Sequence, residues 1–452
     1  MIATSWMRSW SFVIVVVLAV GLRVGLERVN RFSNDDHIEV VERMLKEPDR
    51  EFLKDECWEC YQVKVYHRGV AALASAAAPM PKERLIHIGQ WLNVVLGLLT
   101  LALLAYALSE FQVRDEVRVL VFAVAALNPR FISINVQATN DTLVIFTGTL
   151  TCWLLSRYLA GASWRWLVAA CMAALLSLFS KGNGLFVCAG AVGVLAVRCV
   201  TSPLTRRSDA AVLGALVLLV MAGLRWGSPY RQHRERFGSP FVTNETVPPV
   251  DRMLSTPFNR TPAAFDMFAT FRLFPLLEEP SIGVDGGTVP VSLFTHLYGR
   301  AVHLRFDQWP REWRLSASLQ RVGANIGRAQ VALGLFPLFL LMIALQRMQR
   351  DAWAQLRGTR TLETERATMM LIMFAAMGAM SVLYAWRGAL PSYMKFIFIL
   401  PAGLPLVYAL ARGFDAAIEH RWLRLALRAY VVLSAALNCA DVSLLINQLS
   451  TL

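Results

Sequence analysis

The sequence predicts an all-α polytopic membrane protein with about eleven transmembrane helices and two long outer-facing segments. Three observations predict it. Hydrophobic residues make up 56% of the 452 residues and charged residues 17%, with a mean hydropathy of +0.46, outside the range of a soluble globular chain. Apolar runs of roughly 17–22 residues recur, the length that crosses a hydrocarbon core about 30 Å thick, and in lipid such runs must close their hydrogen bonds internally as helices. The basic residues concentrate in the short connections between these runs, the pattern of a chain oriented by positive loops.

In order, the runs place spans at about 9–27, 88–109, 117–134, 140–157, 164–179, 184–199, 209–226, 329–346, 367–386, 394–412 and 422–446. The first run, from about Trp10 to Gly25, lacks a small-residue cleavage site and continues into charged sequence, so it reads as a retained span. The stretch "GVAALASAAAP", 69–79, is too short to cross and reads as an interfacial or re-entrant helix interrupted by Pro79 or Pro81. The expected organisation is an N-terminal module, 1–226, carrying the first outer loop, 28–87; a long outer loop or lid, 227–328; and a C-terminal module, 329–452.

Sidedness follows from the connections. With the N-terminus inside, "FQVRDEVR", "SRYLAGASWR", "RCVTSPLTRRS", "QRMQRDAWAQLRGTRTLETER" and "ARGFDAAIEHRWLR" all fall inside, each with at least two arginines. The net charge of +13 is therefore topological, and nucleic acid is not an expected partner. Of 45 Lys+Arg, six are lysines: Lys46, Lys54, Lys64, Lys82, Lys181 and Lys395, all on the outer side in this topology. Lys181 and Lys395 sit at outer ends of apolar helices, where a compact ammonium suits a phosphate at headgroup depth. Snorkelling to the interface is the competing explanation.

The unusual polar groups converge on that outer face. "SNDDHIEV", 33–40, follows the first span; "NVQATNDTL", 135–143, "FSKGNGLF", 179–186, and "YAWRGALPSYMKF", 384–396, form outer turns between helix pairs. A site there would combine the carboxylates of Asp35, Asp36 and Asp141 with the cations of Lys181, Arg387 and Lys395. The cations suit a lipid phosphate, and a facing carboxylate suits proton removal from a hydroxyl. Gly182 and Gly184 are expected to admit close backbone approach or positive φ. Taken alone, the first cluster has a plainer reading, a helix capped by Asn34 with Asp35, Asp36 and Glu39 in its first turn.

The order of these pieces resembles the GT-C superfamily, polytopic glycosyltransferases that take sugar from a polyprenyl-phosphate carrier, among them the protein O-mannosyltransferases and the lipid A aminoarabinose transferase. The similar features are the Asp35-Asp36 pair after span one with the amphipathic "HIEVVERMLKE", Asn140-Asp141 at the start of span four, Ser180-Lys181-Gly182 as a Thr-Lys-Gly-like turn, and "SYMKFIFILPAGLP" late in the chain. "CYQVKVYHRGVAAL" occupies the place of an "HPPLYY"-like motif, with Gln62 and Val63 standing where His-Pro or Gln-Pro is usual. The likeness covers nearly the whole chain except 227–328.

The resemblance implies a GT-C-like fold, a polyprenyl-phosphate-linked sugar donor, an acceptor that is a lipid, glycan or protein, and inverting transfer with Asp35 as base beside Asp36. It implies that Asp36 and Asp141 support substrate or, in some members, metal, and that Lys181, Arg387 and Lys395 neutralise the phosphate leaving group. Asn140, Gln62, Tyr61 and Tyr393 complete the expected substrate-binding set. No metal ligands are assigned, and no cofactor follows; a divalent metal is compatible but not required. A transporter or flippase of a lipid-linked or anionic solute is the alternative, weakened by the lack of a half-chain repeat and of mid-span charge. The preponderance of arginine over lysine hints at a GC-rich coding genome, hence a bacterial inner membrane with the site facing the periplasm.

Other signals are weaker. "CWEC", 57–60, reads as a short-loop disulfide in an oxidising compartment, with a zinc site including His37 and His67 as the minority reading. Asn140, Asn244 and Asn259 lie in N-x-S/T triplets that carry no weight. Trp309 and Trp313 are expected in an interfacial aromatic belt.

Overall fold

A computed structural model describes residues 5–32, 36–76, 80–161, 163–202, 205–242, 264–280, 292–304, 313–388 and 394–452, with the backbone alone for 264–265 and 387–388. The described residues form helices and turns and no strand. In order the helices are α1 (Trp10–Val29), α2 (His37–Lys46), α3 (Val65–Ser75), α4 (Lys82–Glu110), α5 (Asp115–Ala126), α6 (Pro129–Asn135), α7 (Asp141–Gly161), α8 (Trp164–Ser180), α9 (Gly184–Thr201), α10 (Arg206–Trp226) and α11 (Tyr230–Phe237). Then follow α12 (Ala264–Ala269), α13 (Leu273–Glu278), α14 (Leu293–Val302), α15 (Ala317–Leu356), α16 (Leu362–Gly388), α17 (Gly403–Ala417) and α18 (Arg421–Ser450).

Seven of these, α4, α7, α9, α10, α15, α16 and α18, are long and apolar enough to cross a membrane; α5 with α6 makes an eighth if the bent pair is one span. The protein is a multi-pass membrane protein, and the described residues do not confirm the expected count of eleven. The run 117–134 breaks by 53°, because Asn128 accepts from the Phe131 N–H as a cap and Pro129 opens a new helix. The run 394–412 begins as two short 3₁₀ turns at Phe396–Phe398 and Leu400–Ala402 before the 15 residues of α17. The run at 164–179 is a helix of 17 residues.

The core is one large apolar cluster in which α7 is central. α7 packs on α4, α8, α16 and α17, and close approach is set by glycine: a Cβ on Gly148 would lie 2.6 Å from the Pro401 carbonyl oxygen. Five buried methionines, Met369, Met370, Met373, Met377 and Met380, fill the face of α16, their unbranched chains adapting to irregular gaps. α10 lies at the rim, with Leu218 and Met221 exposed as a lipid-facing helix requires.

The two ends of the bundle differ in chemistry. At the end expected inside, buried Arg198 reaches Asp209 at 3.3 Å and Glu365 at 3.0 Å, and Tyr158 donates to Asp209. Nearby, Arg157 meets Glu110 at 3.1 Å and Arg412 pairs with Glu363 and, at 3.2 Å, with Asp351. These pairs latch the loop-facing ends of α4, α7, α9, α10, α15, α16 and α17.

At the other end, the segment after α1 holds two short helices: α2 covers the amphipathic "HIEVVERMLK", and α3 starts at Val65, four residues before the expected short helix, and ends at Ser75; Pro79 lies outside the described residues. α2 buries Ile38, Val40, Val41 and Met44, and α3 buries Tyr66, His67, Val70 and Ala74. A disulfide joins Cys57 to Cys60, which removes the zinc reading. α11, from the second long segment, seats on this loop through Arg236 and Asp55. Trp313 corrects an expectation: it is buried, and its indole N–H donates to Asn30 Oδ1 at 3.2 Å, so it is no part of an interfacial belt. Trp309 lies outside the described residues.

Candidate functional site

The turn between α6 and α7 forms the floor of the site. Asn93 of α4 donates to the carbonyls of Gln137 at 2.5 Å and Thr139 at 2.7 Å, and Gly89 lets the turn lie against α4, since a Cβ there would stand 2.9 Å from Ala138 Cβ. That delivers Asn140 and Asp141 to the start of α7. A carboxylate suits a helix N-terminus, where free N–H groups and the helix dipole favour negative charge.

Lys181 meets it from the turn between α8 and α9, with Nζ 2.6 Å from Asp141 Oδ1 and side chains 14% and 8% exposed. Burial pushes the Lys181 ammonium down, and the charge of Asp141 more than offsets this, holding it above its usual value. The ammonium also stands 5.9 Å from the centre of the Phe398 ring, which packs edge-on against Tyr384. Beside the ion pair, Asn140 Nδ2 donates to the Ser180 carbonyl at 3.2 Å and to Gln62 Oε1 at 3.3 Å. Three expected outer segments, the first loop and the turns at 139–141 and 180–183, therefore touch one another.

The glycines of the 181–184 turn act differently from expectation. Neither has positive φ. A Cβ on Gly184 would run into the Ser177 carbonyl, whereas Gly182 faces open space. Gly184 is needed for packing within the turn, and Gly182 leaves the approach to Lys181 uncrowded.

The second oxygen of Asp141 is also occupied. Thr139 Oγ1 donates to Oδ2 at 3.0 Å and lies 3.2 Å from His37 Nε2; His37 Nδ1 lies 3.0 Å from His67 Nε2. Burial, then the charges of Lys181 and Lys64, hold His37 well below its ordinary value. Burial, His37 and Lys64 do the same for His67. Both imidazoles are neutral near pH 7. Lys64 is itself buried and donates to the carbonyls of Gln62 at 2.8 Å and of Cys60, which rigidifies the loop carrying Gln62.

The expected site residues divide as follows. Gln62, Asn140, Asp141 and Lys181 come together. Asp36 occupies the cap position of α2 with φ 43°, the one positive-φ non-glycine among the described residues, and its exposed carboxylate makes no capping hydrogen bond. The helix begins at His37, so Asn34 is not its cap-position residue. Tyr61 stands with its ring centre 5.8 Å from the Lys54 ammonium. Lys395 is half-buried at the start of the 3₁₀ turns, with no ion-pair partner among the described residues. Asp35 and Tyr393 lie outside the described residues, and Arg387 is described as backbone at the end of α16.

Sequence reasoning passed over four residues here. His37 and His67 were weighed as metal ligands, and Thr139 and Asn183 not at all. Asn183 is 1% exposed, and neither polar atom of its side chain has a hydrogen-bond partner; Asn140 Oδ1 is likewise unpartnered. Buried polar atoms are nearly always paired in folded proteins, so these are open valences for a ligand or water. Among the described residues no group of three His, Cys, Asp or Glu could hold a metal ion, and Asp141 has both oxygens engaged; the described residues do not offer a metal site. An open, almost wholly apolar groove of about 560 Å³ between α3 and α4 is lined by Leu73, Met80, Trp91 and Val95 with Arg84 and His87; no residue of the cluster lines it.

No family model matches the chain, and no curated protein does. Among solved structures it is similar to the oligosaccharyltransferase of Archaeoglobus fulgidus in complex with zinc and sulfate, at 14% identity and a TM-score of 0.55, over 96% of this chain and 53% of that one. It is similar to the oligosaccharyltransferase AglB of the same archaeon in complex with an inhibitory peptide and a dolichol-phosphate, at 13% identity and a TM-score of 0.51, over 97% of this chain and 56% of that one. ArnT from Cupriavidus metallidurans in the apo state also matches, at 14% identity and a TM-score of 0.48, over 97% and 77%. The chain spans about half the length of the oligosaccharyltransferase. The likeness is one of fold: this chain shares the fold of the membrane portion matched in that oligosaccharyltransferase.

Proposed function

We propose that the protein is a membrane glycosyltransferase that moves a sugar from a polyprenyl-phosphate carrier to an acceptor on its outer face. The observation that carries this reading is the buried Asp141–Lys181 pair, 2.6 Å apart, meeting Gln62 of the first loop and the Asn140–Ser180 contact at one end of a GT-C fold. Its fold neighbour AglB, solved with a dolichol-phosphate, supports a carrier of that chemical class. The site faces the periplasm of a bacterial inner membrane in this reading.

The chemistry follows from the residue types. Asp35, beside Asp36, takes the proton of the acceptor hydroxyl as its oxygen bonds to the anomeric carbon from the face opposite the phosphate. The bond from that carbon to the phosphate oxygen breaks, and the carrier phosphate leaves with the electron pair. Configuration inverts. Charge growing on the leaving phosphate is balanced by Lys181, whose ammonium keeps two donors beyond Asp141, with Arg387 and Lys395 from the last outer turn. Preorganised cations in a site shielded from water stabilise such charge more than mobile solvent does. Asp141 contributes by placing Lys181. The unpartnered atoms of Asn140 and Asn183 are suited to sugar hydroxyls.

The test is mass spectrometry of extracted lipids and glycans from cells with and without the gene. Loss of one sugar-bearing species, restored by the wild-type gene and not by Asp35→Asn, supports the proposal. Identical profiles in all strains overturn it.

A further inference from the structure

We infer that His37, Thr139 and His67 form a one-directional hydrogen-bond chain that fixes the start of α2, with Asp36, against the turn that carries Asp141. The inference rests on the glycosyltransferase reading for its consequence, and on geometry for the chain itself.

The proton assignment follows from the contacts. Asp141, ion-paired to Lys181, is a carboxylate and accepts only. The single hydroxyl hydrogen of Thr139 therefore points at Asp141 Oδ2, 3.0 Å away. Thr139 Oγ1 then has lone pairs alone for His37 Nε2 at 3.2 Å, so that nitrogen carries the hydrogen. A neutral imidazole has one N–H, which leaves His37 Nδ1 bare to accept from His67 Nε2–H at 3.0 Å. His67 Nδ1 must in turn be bare; no hydrogen bond of ordinary geometry reaches it, although the Val63 carbonyl acts on the ring, and a hydrogen on Nδ1 directed at that carbonyl is the opposing arrangement that the tautomer measurement tests. Burial and the nearby ammonium groups of Lys64 and Lys181 keep both rings neutral, the state this assignment needs.

The chain ties three separate pieces together. His37 is the first residue of α2, His67 belongs to α3, and Thr139 sits in the turn before α7. Asp36 immediately precedes His37, and its left-handed backbone turns the chain there; Asp35 is one residue further back. A ring fixed on both sides at His37 thus limits where Asp36 stands relative to the Asp141–Lys181 pair. Misplacement by about 1 Å is enough to cost roughly 10²-fold in a reaction of this kind. These three side chains are positioning residues, acting through the start of α2.

The arrangement is tested in two arms. Protein labelled with ¹⁵N-histidine in lipid nanodiscs reports ring tautomers, and loss of a signal in His37→Asn assigns that ring. Both rings are expected as Nε2–H tautomers; an Nδ1–H form at either overturns the chain. In the second arm, Thr139→Val, which keeps shape and removes the hydroxyl, is expected to lower kcat about tenfold to hundredfold, with affinity for undecaprenyl phosphate changed less than about threefold. Thr139→Ser is expected to restore most of kcat. Wild-type kcat in Thr139→Val overturns the positioning role, as does equal loss in the Ser variant. If wild-type protein neither binds undecaprenyl phosphate nor transfers sugar, the functional reading falls, and the tautomer spectrum still decides the chain.

Discussion

Changing Lys181 to Met removes one charge and keeps apolar length, and the structure sets the size of the effect. The ammonium and the Asp141 carboxylate are 2.6 Å apart with side chains 14% and 8% exposed. At an effective dielectric of about 20, unit charges at that separation attract by roughly 6 kcal/mol before the cost of burying them. Removing one partner strands the other, and breaking a buried pair in this way costs about 3–5 kcal/mol. Lys181→Met should therefore lower the thermal midpoint in detergent clearly, with Thr139 left as the remaining partner of Asp141. The double variant Lys181→Met/Asp141→Asn removes the stranded charge and should recover about 2–3 kcal/mol of that loss. The functional readout is titration with undecaprenyl phosphate. Lys181→Met should bind it weakly, and the double variant, though stable, no better. Asp141→Asn alone should bind at least as well as wild type, because phosphate can then replace the lost carboxylate. Lys181→Arg should restore binding in part, since a planar guanidinium cannot place its charge at the same point. Additive stabilities in the double variant, or wild-type affinity in Lys181→Met, would refute the reasoning.

Further outcomes follow from the same geometry. Asp35→Asn should lower transfer by about 10²–10⁴-fold while leaving carrier binding near wild type; activity within about threefold of wild type removes Asp35 as base, and loss on Asp36→Asn in its place moves the role one residue. Burial lowers the Lys64 ammonium from 10.5 to about 8, so the unfolded chain binds more protons between those values and stability should rise with pH across that window, by about 3 kcal/mol at most. Lys64→Met should abolish that slope in a pH series of melting midpoints, and an unchanged slope would contradict the burial argument. Cysteines placed at Lys46 and Gly182 should be blocked by impermeant reagents from outside, and those at Arg206 and Arg357 should not; labelling of Gly182→Cys from the inside alone would dissolve the converging face. Asn183→Leu, isosteric with its amide, should leave the melting midpoint level or raised and weaken sugar transfer, whereas a marked loss of stability with full transfer would make Asn183 structural.

What could be read from the sequence was whatever depends on composition along the chain. Lipid leaves a helix no alternative, so the apolar runs announced their helices, and the amphipathic period of residues 37–46 announced the buried face of α2. The meeting of Asn140–Asp141 with the 180–184 turn was also legible, because two hairpins of adjacent spans place their polar turns at one surface. Breaks inside apolar runs were not. Asn128-Pro129 is a turn signal that an uninterrupted hydropathy window averages away, and the same averaging hid the 3₁₀ turns around Pro401. Trp313 misled because an aromatic near a membrane boundary has two uses, an interface or a buried indole with a partner, and the partner, Asn30, is 283 residues away.

The state of the polar groups was the least legible of all, and it alters the chemistry most. As a sequence position, Asp141 offers an open carboxylate beside a lysine. In the fold both of its oxygens are engaged, one by Lys181 and one by Thr139. A carboxylate filled in this way is poorly placed to take a proton, since protonation would forfeit the pair and leave Lys181 buried without its counter-charge. In the proposed reaction the base then comes from elsewhere, and the first loop supplies the candidates Asp35 and Asp36. That proposed division, Asp141 fixing the cation and Asp35 reacting, is how two like groups in one site acquire different roles when their surroundings differ. It makes the Asp35 and Asp141 variants diagnostic as a set: Asp35→Asn should abolish transfer in a stable protein, whereas Asp141→Asn should disturb stability and leave part of the transfer intact. The opposite pattern would assign the reacting carboxylate to Asp141 and make the first loop its scaffold.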